Sequence, residues 1–311
     1  MVKDISPRFA CSAFFGGKNS SRGFLFFSLV LVLAFCKPLF DLVLYSFHSS
    51  LHSHAPLVPF ISFYLIWLQK ESLPSSSRSS PVLAAVFWLA GLSALTAFWV
   101  LKYQVGPLAR NDSLALTITS FLCFFVGGGF FCFGAKLMQA VAFPVLFLVF
   151  SVPFPTVLTQ WIEAFLQHTS AEAAFVFLKI TDVPVFREGL VFRLPGISLR
   201  VAEECSGIRS TLVLLMTSLI AGHLFLRSPW NRAWFVLATI PLGIIRNGFR
   251  VLVISLLCVY VDPGMINSVI HRRGGPLFFV LSLIPLFGLL ILMRKRERKR
   301  EQSVKMKKEI G

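Results

Sequence analysis

Residues 233–260 read AWFVLATIPLGIIRNGFRVLVISLLCVY. An apolar run of this length crosses a bilayer, which takes about 20 helical residues at ~1.5 Å rise each. Yet Arg246, Asn247 and Arg250 stand inside it, and spacings of three and four place them on one helical face. Arg250 lies about 15 Å from the end near Tyr260, within the hydrocarbon. An arginine there costs at least ~2.5 kcal/mol on insertion scales, so it is expected to face an interior polar cavity and to carry function.

The rest of the chain agrees with a membrane setting. Its 311 residues are 56% hydrophobic, include 34 Phe and are only 14% charged, where a soluble domain carries roughly a quarter charged residues. The net charge of +16 does not read as a nucleic-acid footprint. Nine Lys and Arg lie in the tail RKRERKREQSVKMKK, directly after an apolar segment, as in a cytoplasmic stop signal in contact with acidic lipid. Of the six cysteines, Cys11, Cys36, Cys123, Cys132, Cys205 and Cys258, none forms a C-x-x-C pair and no His cluster accompanies them. Neither a metal site, a cofactor nor a disulfide framework is expected.

Hydropathy predicts an all-α polytopic fold of about eight transmembrane helices, near residues 23–47, 56–68, 81–101, 113–133, 137–155, 207–226, 233–260 and 276–293. The second is short for a crossing, and 157–180 reads as an interfacial helix. Residues 1–22 form a cytoplasmic N-terminal segment, 23–293 a single multi-span domain and 294–311 a basic cytoplasmic tail. The Lys and Arg bias puts both termini in the cytoplasm, in a multi-pass protein of the cytoplasmic membrane. The segment 156–204 then lies on the outer face.

That outer segment contains VPVFREGLVFRLPGISLRVAEE, followed by CSGIRS at the mouth of the sixth span. Leu190, Phe192 and Leu194 alternate with Val191 and Arg193; beyond Pro195-Gly196, Ile197, Leu199 and Val201 alternate with Ser198 and Arg200. Period-two patterning around Pro-Gly predicts a small β-hairpin. It leads straight into Glu203-Glu204-Cys205. After span seven, His271 stands at the outer entrance of span eight, so the drawn topology brings Cys205, Arg250 and His271 to one side of the membrane. A thiolate there could attack a peptide carbonyl, an arginine hold the oxyanion and a histidine protonate the leaving amine. Arg209, one turn beyond Cys205, is a second candidate for the anion, and Gly207 leaves free amides at the helix terminus. A structural cysteine and a surface histidine are the bland alternatives.

The stretches AEECSGIRS, IIRNGFR and HRRGGPLFF, in this order and in this frame, resemble the signature of the exosortase/archaeosortase family, and SLHSHAPLVPFISFYLIW resembles its first outer loop and second span, with Ala55 where a glycine usually stands. The resemblance implies a membrane cysteine protease or transpeptidase without cofactor. Its partners would be membrane-anchored proteins whose C-terminus carries a short PEP-CTERM-like motif, an apolar helix and a basic end, with an envelope acceptor for the new C-terminus. Matched motif to motif, it implies Cys205 as nucleophile, Arg250 as electrostatic stabiliser and His271 as general acid/base. Asn247, Arg209, Glu204, Gly207 and Arg246 would support them, with His54 near a substrate entrance. Two readings from other classes compete: an anion-handling transporter built on Arg246 and Arg250, and a noncatalytic assembly factor that docks through its basic tail.

Overall fold

The computed structural model describes residues 18–49, 51–74, 79–181, 183–195, 197–200, 207–262, 264–265 and 274–310, in two compact units, 1–156 and 157–311.

In the first unit α1 (Lys18–Ala34) and α2 (Cys36–His48) meet at a 70° bend. The stretch expected as one span, 23–47, is therefore broken at Phe35. Lys37 and Asp41, one turn apart, fall on α2, with Lys37 exposed. Two charges in mid-span would be costly in a straight crossing helix, and the break takes α2 off that path. The 3-10 turn Ala55–Leu57 leads into α3 (Val58–Leu68), which is too short to cross alone.

Next, α4 (Pro81–Gln104) packs along α5 (Arg110–Ala140). Small residues make the approach possible. A Cβ on Gly127 would lie 2.4 Å from Trp88, and one on Gly128 2.4 Å from Phe27 of α1. Ser120 Oγ donates to the Gly91 carbonyl at 2.7 Å, satisfying a polar group that lipid could not. At Gly134 the backbone leaves helical geometry (φ 76°), a conformation that glycine alone adopts cheaply. The region expected as span five, 137–155, is accordingly not one helix. It holds the end of α5, the six-residue α6 (Ala142–Phe147) and the 3-10 turn Leu148–Ser151.

The second unit comprises α7 (Thr156–Ile180), strands β1 (Phe186–Glu188), β2 (Val191–Leu194) and β3 (Ile197–Arg200), then α8 (Ile208–Phe225), α9 (Pro229–Leu237), α10 (Thr239–Tyr260) and α11 (Gly275–Ile310). The predicted hairpin is present: β2 and β3 pair antiparallel, with Leu194 opposite Ile197 across Pro195-Gly196. Alternation seats Phe192, Leu194 and Leu199 in a core with Ala171, Ala174 and Leu178 of α7 and Leu252, Ile254 and Cys258 of α10. Full burial of a side chain such as Phe192, at 0% exposure, is worth about 2 kcal/mol.

A third strand, β1, was not expected. It is held by Arg187, whose Nη2 meets Glu172 of α7 at 2.8 Å while its Nε donates to the Gly189 carbonyl at 2.7 Å. Its guanidinium also lies 5.5 Å from the Phe175 ring and 5.7 Å from Phe192. An arginine sandwiched in this way ties the sheet to α7 through both charge and stacking.

A second core, Leu214, Ala221, Leu226, Phe235, Leu286 and Leu290, joins α8, α9 and α11. At its edge Glu297 of α11 accepts hydrogen bonds from the amides of Arg227 and Ser228 (both 3.0 Å) and from Asn231 Nδ2 (2.6 Å), at the start of α9. A carboxylate at a helix N-terminus satisfies donors that the helix itself leaves open.

Among the described residues, five helices are long and apolar enough to cross a membrane: 81–104, 110–140, 208–225, 229–260 and 275–303. Up to seven spans result if each of two bent pairs, α1 with α2 and the α6 region with α7, counts as one. This falls below the eight expected, and the difference lies in the short α3 and in the fragmented 137–180 region. Only 11% of the apolar window of α4 is buried within the protein, against 44% for that of α9–α10. The first is a lipid-facing helix, whereas the second places polar residues in an interior.

Candidate active site

The polar residues of α10 meet the N-terminus of α8. α8 begins after Gly207, which has φ 74° and ψ 12°. A Cβ there would lie 2.9 Å from Asn247 Cγ and Oδ1 and 3.2 Å from Arg246 Nη2. Gly207 is thus required twice: by its left-handed backbone and by the absence of room for a side chain. Its carbonyl accepts from the Thr211 amide at 3.0 Å, from Ser210 Oγ at 3.1 Å and, at 3.4 Å, from Arg246 Nη2. The same Nη2 donates to Thr211 Oγ1 at 3.2 Å.

One turn along, a Cβ on Gly243 would lie 2.9 Å from Thr211 Oγ1, so α8 and α10 approach closely along this seam. On the far side of α10 a Cβ on Gly248 would meet Ala173 Cβ of α7 at 2.7 Å. α10 is therefore wedged between two helices at the level of its polar residues. Arg246 is 7% exposed and Asn247 2%, as expected for polar groups kept from lipid. Arg250, one turn beyond Arg246, is half-buried. The expected face of α10 is present and looks into the second unit.

Arg209 is exposed on the first turn of α8, and the guanidinium that reaches the Gly207 carbonyl is that of Arg246. Cys205, Glu203, Glu204 and His271 lie outside the described residues. In the sequence Cys205 stands two residues before Gly207. His271 stands four residues before the start of α11. Near that start, Phe278 packs edge-on against Phe249 of α10, with ring centroids 6.3 Å apart.

His54 belongs to the first unit and is half-buried, but the neighbouring His52 is the enclosed one, at 2% exposure. The Phe154 amide donates to His52 Nε2 at 3.1 Å. That leaves the ring proton on Nδ1, which donates to Ser49 Oγ at 3.2 Å. Burial, with His54 beside it, lowers the His52 pKa to about 4, so the imidazole is neutral and serves as a structural acceptor. Sequence reasoning missed His52 because two histidines separated by one residue look alike until the Phe154 amide is placed. Thr211 was missed too, since a hydroxyl one turn into an apolar helix carries no signal without its partner.

These features define a multi-pass helical membrane protein with a buried arginine–asparagine seat against Gly207. The family model described as transmembrane exosortase (Exosortase_EpsH) matches residues 46–288. The chain belongs to the exosortase family, whose members are membrane peptidases or transpeptidases that act on sorting signals of membrane-anchored proteins. It matches no curated protein and no solved structure.

Proposed function

We propose that this protein is a membrane-embedded cysteine protease or transpeptidase that removes a PEP-CTERM-like C-terminal sorting signal from exported proteins. It works at the outer face of the cytoplasmic membrane and passes the new C-terminus to an envelope acceptor. Cys205 is the nucleophile, Arg250 stabilises the developing oxyanion and His271 is the general acid/base. Asn247, Gly207, Arg246, Arg209 and Glu204 support them. The observation that carries this reading is the seat of Gly207 on Asn247 and Arg246, within a chain matched over residues 46–288 by the exosortase family. Two of the three resembling stretches are thereby in contact, as a shared site requires.

In this mechanism the thiolate of Cys205 attacks the scissile carbonyl, and the oxyanion develops against the half-buried guanidinium of Arg250, where such a charge is worth more than in bulk water. His271 protonates the departing amine, the C–N bond breaks, and a thioester to Cys205 remains until an acceptor nucleophile or water releases it. A substrate anchored by its own apolar helix brings its motif to this height by lateral diffusion. The β2–β3 hairpin borders its entrance.

The test is co-expression with a protein from the same genome that ends in a motif, an apolar helix and a basic tail, with tail removal followed by mass spectrometry. Wild type is expected to process it, and Cys205→Ala, Arg250→Ala and His271→Ala at matched expression are not. Processing by Cys205→Ala would remove the nucleophile reading and favour the transporter or assembly-factor alternatives.

A further inference from the structure

We infer that Thr211 and Arg246 form a brace that fixes Gly207 at the start of α8, two residues after Cys205 in the sequence, with Thr211 a positioning residue for the proposed reaction. The inference rests on that reaction but not on any assigned role of Thr211. Arg246 is buried, and its Nη2 makes two hydrogen bonds, to the Gly207 carbonyl at 3.4 Å and to Thr211 Oγ1 at 3.2 Å. Among the described residues its buried Nε has no hydrogen-bond partner.

An arginine retained for stability alone would have its donors matched, because each unmatched buried donor is costly. Here one donor is left over while the far end of the side chain is fixed on Gly207, at the start of α8. Thr211, one turn along α8 from Gly207, holds the same nitrogen. Its amide donates to the Gly207 carbonyl at 3.0 Å, and its hydroxyl receives Arg246. Its side chain cannot turn away from the seam, because it already fills the space beside Gly243 and β-branching restricts χ1. Among the described residues, removing the hydroxyl leaves the guanidinium with the longer contact to Gly207. Gly207 is then held less firmly, and a misplaced nucleophile reacts slowly even when substrate still binds.

Thr211→Val keeps the shape and removes the hydroxyl, whereas Thr211→Ser keeps the hydroxyl. Both are compared with wild type and Cys205→Ala in detergent, after thermal unfolding has shown that the variants fold. Two readouts are taken: kcat and KM on a tagged reporter ending in a motif, apolar helix and basic tail from the same genome, and the rate of iodoacetamide labelling at Cys205 by peptide mapping. A Thr211→Val protein with kcat lowered about tenfold, unchanged KM and an altered labelling rate, both restored by Thr211→Ser, is the expected result. With Cys205→Ala inactive, wild-type kcat and labelling in Thr211→Val would overturn the brace and leave the proposed reaction standing. With Cys205→Ala active, the proposed reaction fails and labelling alone decides: a changed rate restored by Ser upholds the brace, an unchanged rate overturns it. A Thr211→Val protein that does not fold passes the question to Arg246→Lys, which must show the same kcat and labelling changes.

Discussion

Replacing Gly207 by alanine tests the seat beneath the site in two separable parts. The first is backbone strain, since φ is 74° and a Cβ in the left-handed region costs roughly 1–2 kcal/mol. The second is contact, because that Cβ would sit 2.9 Å from Asn247 Cγ and Oδ1, closer than packed atoms tolerate. Asn247 is 2% exposed and its neighbour Gly248 lies against Ala173, so α10 has little freedom to retreat. Relief by a few tenths of an ångström must instead come from the turn itself. Gly189 supplies the control, with φ 60° and nothing within 4 Å of its Cβ position. Gly189→Ala carries the strain without the contact and should cost about 1 kcal/mol with normal processing. Gly207→Ala should cost about 2–3 kcal/mol in thermal or denaturant unfolding, and lower processing by roughly a hundredfold if the turn moves by about 1 Å. Equal losses of stability and activity in the two variants would refute the seat as a determinant of the site.

Two further outcomes follow from particular contacts. His52 has its pKa lowered to about 4 by burial and by His54, against about 6.5 in the unfolded chain. The unfolded state therefore takes up a proton that the folded state refuses, so the stabilisation is complete above pH 6.5 and is lost as the pH falls toward 4. The loss is about 2 kcal/mol after screening by solvent, and it should vanish from the pH dependence of unfolding in His52→Gln; parallel curves for the two proteins would contradict the assignment. Glu297→Ala removes the acceptor shared by Arg227, Ser228 and Asn231. It should lower stability by about 1 kcal/mol while Glu301→Ala, which loses only an exposed ion pair with Arg227, stays near neutral; the reverse order would show that the α9 terminus does not depend on α11.

What the sequence disclosed depended on whether the signal was local. The hairpin was legible because Leu190 to Leu194 and Ile197 to Leu199 alternate about Pro195-Gly196, and a half-buried sheet imposes that period on the chain. The polar face of α10 was legible because guanidinium groups have no place in lipid, so Arg246 and Arg250 announced an interior. β1 was hidden: three residues, Phe186 to Glu188, are too few to show a period, and Arg187 holds them through Glu172 and Phe175 on another element. The break at Phe35 was hidden for a different reason. A hydropathy window measures length and averages Lys37 and Asp41 into apolar surroundings, but it does not see direction. Thr211 and His52 became visible only when Arg246 and the Phe154 amide were placed beside them.

The covalent intermediate is the most direct test of a cysteine mechanism. Wild-type protein incubated with the tail-bearing reporter, quenched in acid and digested should yield a Cys205 peptide carrying the reporter's fragment up to the cleavage site. That adduct should be labile to hydroxylamine and absent from Cys205→Ala. Efficient processing with no adduct at Cys205, and undiminished after Cys205 is alkylated, would contradict the account.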